Sequence, residues 1–104
     1  MEATFKRMLL VDGSPRDREL IKNALAEYNL LNIVVELTDG ADALDYLYMR
    51  ERHANRSSGN PVVILLDLKM PKIDGLEFLR IIKSDPALKL IPVVVMTSYR
   101  EEQD

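Results

Sequence analysis

The sequence predicts an open, doubly wound α/β fold: a parallel sheet with helices on both of its faces. Two observations carry this. Four short apolar runs, MLLV at 8–11, IVVEL at 33–37, VVILL at 62–66 and VVVM at 93–96, are rich in β-branched residues, and three of them are nearly continuous. Antiparallel strands with one wet face alternate apolar and polar residues; strands buried on both faces do not. The runs are separated by stretches of helical periodicity, giving the order β-α-β-α-β-α-β with βαβ connections. Right-handed crossovers then distribute the helices over both faces.

Each element has its own signal. The opening MEATFKRMLLVDG holds too short an apolar stretch for a signal peptide and reads directly as a first strand. Ser14-Pro15-Arg16-Asp17 supplies a cap, a proline at the first helical position and a first-turn acid. Leu20, Ile21, Ala24, Leu25 and Tyr28 follow as an apolar stripe. The second run alternates slightly around Glu36, which predicts an edge strand. Asp39-Gly40-Ala41-Asp42 opens a second helix with Ala43, Leu44, Leu47 and Tyr48 on its apolar face, and HANRSSGNP at 53–61 reads as a flexible loop. Asp74-Gly75-Leu76-Glu77 is a capping-box pattern ahead of Phe78, Leu79 and Ile82, and Asp85-Pro86 ends that helix because a residue before proline avoids the helical region. Gly40 and Gly75 suit tight entry turns. Ser98-Tyr99-Arg100-Glu101 reads as the start of a fourth helix, with three residues after it.

Composition narrows the function. The chain has 104 residues, enough for one domain, and 47% of them are hydrophobic, enough for a real core. A net charge of −3 with both signs interspersed gives no basis for nucleic-acid binding or a cationic membrane surface. No apolar run approaches the roughly 18 residues of a membrane helix. Without cysteine there are no disulfides or thiolate metal sites, which is compatible with a cytoplasmic location. His53, the single histidine, reads as a surface residue beside the loop. No GxxxxGK[ST] or GxGxxG motif is present, which counts against a nucleotide- or flavin-binding domain.

In open α/β sheets, ligands bind beyond the carboxyl ends of the strands. The residues there are Asp12 after the first run, Asp67 after the third and Thr97 after the fourth. Two converging carboxylates repel unless a proton or cation lies between them. A hard divalent ion such as Mg²⁺, bound by carboxylates and phosphate oxygens, answers that repulsion.

The segments LLVDGSPRDREL, ILLDLKMPKIDGLEFLRIIK and IPVVVMTS resemble the response-regulator receiver domain of two-component signalling, a flavodoxin-like fold. The likeness is similar to that of single-domain receivers accompanying phytochrome-type histidine kinases. It implies Asp67 as phosphoacceptor, Asp12 and Asp67 as Mg²⁺ ligands with the backbone carbonyl of Lys69, Thr97 as the switch hydroxyl and Ser98 as a contact of the phosphoryl oxygens. It also implies a sensor histidine kinase as partner, and chemistry limited to self-phosphorylation and dephosphorylation rather than conventional enzyme turnover. Two departures stand out. Gly13 follows Asp12 where the family has a second acid, which should weaken Mg²⁺ binding. The sequence also stops after the fourth strand, without the family's fifth strand, last helix and active-site lysine. Lys69, Lys72 and Lys83 read instead as solvent-facing charges. The expected consequence is an exposed strand edge and a homodimer or domain-exchanged oligomer. The alternative to a phosphorylation switch is a non-phosphorylated interaction module with the same fold, favoured by Gly13.

Overall fold

The computed structural model describes residues 6–56, 59–70 and 72–96. The elements follow the expected order: β1 (Met8–Val11), α1 (Pro15–Ala26), β2 (Val34–Leu37), α2 (Gly40–Leu47), β3 (Val63–Asp67), α3 (Gly75–Lys83) and β4 (Val93–Met96), with 3-10 turns at Leu31–Ile33 and Glu51–His53. All pairings are parallel, in the order β2-β1-β3-β4. The expected edge strand is indeed at the edge.

That order fixes the layers. The chain steps from β1 outward to β2, then back across to β3 and on to β4. With right-handed crossovers, α1 covers one face and α2 and α3 the other. Side chains alternate across a strand. Leu9, Val11, Ile64 and Leu66 therefore enter one cluster with Ala43, Leu44 and Leu47 of α2 and Phe78 and Ile82 of α3. Leu10, fully buried but outside that cluster, points to the α1 side.

The three helices start as their sequences predict. Ser14 Oγ accepts the amide of Asp17 at 3.2 Å, Asp39 Oδ1 that of Asp42 at 2.8 Å, and Asp74 Oδ1 that of Glu77 at 2.9 Å. Each cap satisfies an otherwise orphaned helix donor. The box at α3 is only half formed, because the Glu77 carboxylate pairs with Arg80. The α1 stripe departs further from expectation. Ile21 and Leu25 are half-buried, but Leu20 and Tyr28 are 59% and 73% exposed, and no α1 residue is buried. Among the described residues α1 is the one helix on its face, so its stripe is wider than the surface it meets.

The two helix-entry glycines are required by close approach rather than by backbone angle. A Cβ on Gly40 would lie 2.2 Å from the Ile73 carbonyl oxygen, and one on Gly75 would lie 2.4 Å from Leu68 Cα and 2.6 Å from the Asp67 carbonyl oxygen. All of these obstacles are backbone, which cannot swing aside. Gly75 thus seats α3 directly against the end of β3.

Gly40→Ala and Gly75→Ala are expected to destabilise the protein by about 1–3 kcal/mol each in urea denaturation, the usual penalty for overpacking. Alanine's helix preference works in the opposite direction by no more than about 1 kcal/mol. Unchanged or raised midpoints would refute the close-packing account.

Candidate functional site

The site is set by register. Val11 pairs with Leu66, so the next residues, Asp12 and Asp67, stand side by side at the carboxyl ends of adjacent parallel strands. Neighbouring strands lie about 4.8 Å apart. The two side chains are nearly removed from water, at 3% and 6% exposure. The sequence placed these two carboxylates together, and the structure does so.

Asp12 is held on three sides. Its amide donates to the Leu37 carbonyl at 3.1 Å, its Oδ1 accepts the Ser14 amide at 2.9 Å, and its carbonyl accepts Arg18 Nη1 at 2.7 Å. Asp67 Oδ1 accepts the Lys69 amide at 3.2 Å, and the Leu68 carbonyl accepts the Gly75 amide at 3.0 Å. Asp12 therefore projects from the loop after β1 and Asp67 from the last position of β3, both beside backbone tied down by hydrogen bonds.

Burial raises the Asp12 carboxyl above its ordinary value of 3.8; the Ser14 hydrogen bond opposes this, but the charges of Asp67 and Asp17 and a side-chain hydrogen bond with Asp67 push it up further. Two buried acids that resist joint ionisation form a site for a cation. The donors are all oxygen, which suits a hard divalent ion. Among the described residues no group of three His, Cys, Asp or Glu side chains gathers to hold a metal.

Thr97 and Ser98 lie outside the described residues. They follow Met96, which pairs in register with Asp67. Lys69 has its side chain exposed, as expected.

Two sequence expectations need correction. His53 is buried, at 8% exposure, with Nε2 2.9 Å from Asp42 Oδ1 and its ring edge-on to Tyr46 at 5.1 Å. The start of the loop is anchored: Arg56 lies over the Tyr46 ring at 4.1 Å and donates to the carbonyls of Tyr46 and Leu47 at 2.7 and 3.4 Å. These contacts satisfy carbonyls at the end of α2, the need that draws the loop back onto the helix. Lys83 is exposed, as expected, and its Nζ also donates to the carbonyls of Lys89 and Ile91 at 3.0 and 3.3 Å. Lys72, itself largely exposed as expected, reaches Asp39 at 3.6 Å, a contact of small energetic weight.

Arg18 was missed altogether. Besides the Asp12 carbonyl it binds Glu36 Oε1 through Nε at 3.1 Å, and Glu36 also takes Lys22 Nζ at 2.8 Å. In the sequence Arg18 is merely a polar residue in the first turns of α1. Its partners lie just past β1 and on β2, and no local pattern announces them.

Known proteins share this fold. The response regulator receiver domain family matches residues 8–104. Response regulator Rcp1 of Synechocystis sp. is 40% identical over 99 residues, covering 95% of this chain and 66% of its own length, so the chain spans just under two thirds of that relative. Its solved Mn²⁺-bound form superposes with a TM-score of 0.81 at 40% identity, over 93% of this chain and 68% of the other. The bacteriophytochrome response regulator AtBRR gives a TM-score of 0.88 at 48% identity, over 95% of this chain and 71% of the other. The phosphorylated cyanobacterial phytochrome response regulator RcpA gives 0.81 at 45% identity, over 92% and 67%. The sheet ordered β2-β1-β3-β4 superposes on these solved structures, and this chain belongs to the response regulator receiver domain family.

Proposed function

We propose that Asp67 accepts a phosphoryl group from a phosphohistidine of a sensor histidine kinase, with Mg²⁺ held by Asp12, Asp67 and the carbonyl of Lys69. The observation that carries this reading is the buried, mutually repelling Asp12–Asp67 pair at adjacent strand ends. One Asp67 oxygen is fixed by the Lys69 amide, which orients the carboxylate for attack by the other. The new P–O bond forms as the P–N bond to imidazole breaks, leaving an acyl phosphate on Asp67 and returning a proton to the departing imidazole. A bound Mg²⁺ supplies positive charge against the phosphoryl oxygens. The protein contributes position and electrostatics. The dianion formed at Asp67 would then recruit the Thr97 hydroxyl, with Ser98 beside it, and shift the population between two conformations that differ in partner binding.

Gly13 favours a second reading, a module that binds its partner without phosphorylation. Incubation with acetyl phosphate or beryllofluoride and Mg²⁺ separates the two. Phosphotransfer predicts a mass increase with acetyl phosphate that is absent in Asp67→Asn. No response at millimolar Mg²⁺ would leave the module standing.

Asp12 gives a test with a definite sign. A carboxyl raised in the folded state binds its proton more tightly there than in the unfolded chain, so stability falls as pH rises from 3.8 through the raised folded value, and the ionised acid carries a penalty above it. Asp12→Asn removes that penalty yet keeps an acceptor for the Ser14 amide. In metal-free buffer at pH 7 it should melt a few degrees above wild type, on the order of 1 kcal/mol, and the advantage should vanish near pH 4. Added Mg²⁺ should reverse the order by stabilising wild type alone. Thermal melts across pH with and without Mg²⁺ check both parts.

Gly13→Asp restores a third acid beside the pair. Mg²⁺ affinity should rise about tenfold, measured by calorimetric titration; an unchanged or weakened affinity would remove the coordination argument.

A further inference from the structure

We infer that Arg18 is the positioning residue of the metal-binding loop: its guanidinium, braced against Glu36 on β2, fixes the carbonyl of Asp12 and so aims the Asp12 carboxylate at the cation site. This rests on the proposed Mg²⁺ site and adds to it a residue that touches neither metal nor phosphoryl group.

The need arises from Gly13. Glycine samples more backbone conformations than any other residue, so a loop reading Asp12-Gly13-Ser14 at the end of β1 is intrinsically loose. Asp12 is anchored behind by its amide bond to Leu37 and ahead by the Ser14 amide on Oδ1. The Ser14 contact closes a turn within the loop and does not tie that turn to the rest of the fold. The Arg18 contact does, since one planar group spans from the Asp12 carbonyl at 2.7 Å to Glu36 at 3.1 Å. Arg18 is only 15% exposed, which distinguishes it from an ordinary surface ion pair. Glu36 is in turn held by Lys22, and these two cations keep its carboxyl below the usual range: the Lys22 hydrogen bond lowers it most, burial opposes, and the Lys22 charge and Arg18 complete the shift. The acceptor end of the brace is therefore charged whenever the site is in use. A guanidinium offers donors in a fixed fork, which a lysine ammonium lacks.

Charge and position predict opposite outcomes. A positive group beside a cation site repels the cation, so removing Arg18 should tighten binding if only charge matters. Loss of a residue that orients a ligand weakens metal affinity by about 10–100-fold. That exceeds the few-fold effect of one screened charge near a surface.

The test is a titration of the metal-free chain with Mn²⁺ alone, read by electron paramagnetic resonance, on wild type, Arg18→Ala and Arg18→Lys. Backbone amide exchange at Gly13 and Ser14 is recorded without metal, at a temperature where all three are folded. Positioning predicts Mn²⁺ affinity about tenfold weaker in both variants and faster exchange at Gly13 and Ser14. Arg18→Lys decides the matter even if Arg18→Ala does not fold, because lysine keeps the charge and loses the fork. Affinity within twofold of wild type in Arg18→Lys, even with a lowered melting point, would reduce Arg18 to a structural tie and overturn the inference. Tighter binding in Arg18→Ala with unchanged binding in Arg18→Lys would overturn it in favour of charge alone. Wild type that binds no Mn²⁺ would overturn the metal site itself, and the inference with it.

Discussion

The pairing of Val11 with Leu66 is the constraint on which the site depends. It places two acids at the same height on neighbouring strands, where the hydrophobic interior has already excluded water. A slip of one residue would turn one of the acids to the other face of the sheet. The register is protected by the core beneath it. Leu9, Val11, Ile64 and Leu66 all face the cluster built on Phe78 and Ile82, so any slip would move a row of fully buried side chains into the wrong layer. Burial thus sets the geometry first, and the repulsion follows from it.

That sequence of causes explains what could be read from the chain. Continuous apolar runs reveal strands buried on both faces, and a strand has a definite end, so Asp12 and Asp67 were legible as residues just beyond two such ends. The helix starts were legible because a cap acts within three residues of itself. Residues whose partners are remote in sequence were not. His53 sits among loop-forming residues and was read as exposed, yet it packs on Tyr46 and meets Asp42, eleven positions earlier in the chain. Lys83 is solvent-facing as its pattern indicates, but the carbonyls of Lys89 and Ile91 that the chain after α3 presents to its ammonium group are not announced by that pattern. Arg18 is the clearest case, because nothing near it in sequence indicates Glu36.

The helix stripes show the same limit in another form. Periodicity says which residues share a face, and it does so for Ala43, Leu44 and Leu47 of α2 and Phe78 and Ile82 of α3, whereas Tyr48, expected with the α2 stripe, is 38% exposed and Tyr46 is buried in its place. It does not say how much surface awaits that face. The stripe of α1 has the right spacing, yet Leu20 and Tyr28 remain largely in water. Amphipathicity is a property of one helix; burial depends on its neighbours as well.

Gly13 connects these points to the chemistry. An acid at that position would add a third like charge beside two that already oppose one another, and the metal-free fold would carry the extra repulsion. With glycine the repulsion is smaller, and so is the gain on binding a cation, since stabilisation by a ligand grows only as the logarithm of its concentration over its dissociation constant. The exchange is not purely electrostatic, because glycine also loosens the backbone at the place where a ligand must be aimed. A two-acid site therefore depends more heavily on whatever restrains Asp12 than a three-acid site would. In this protein the restraint spans three elements, with the Asp12 amide on β2, the Ser14 amide in the loop and Arg18 reaching from α1.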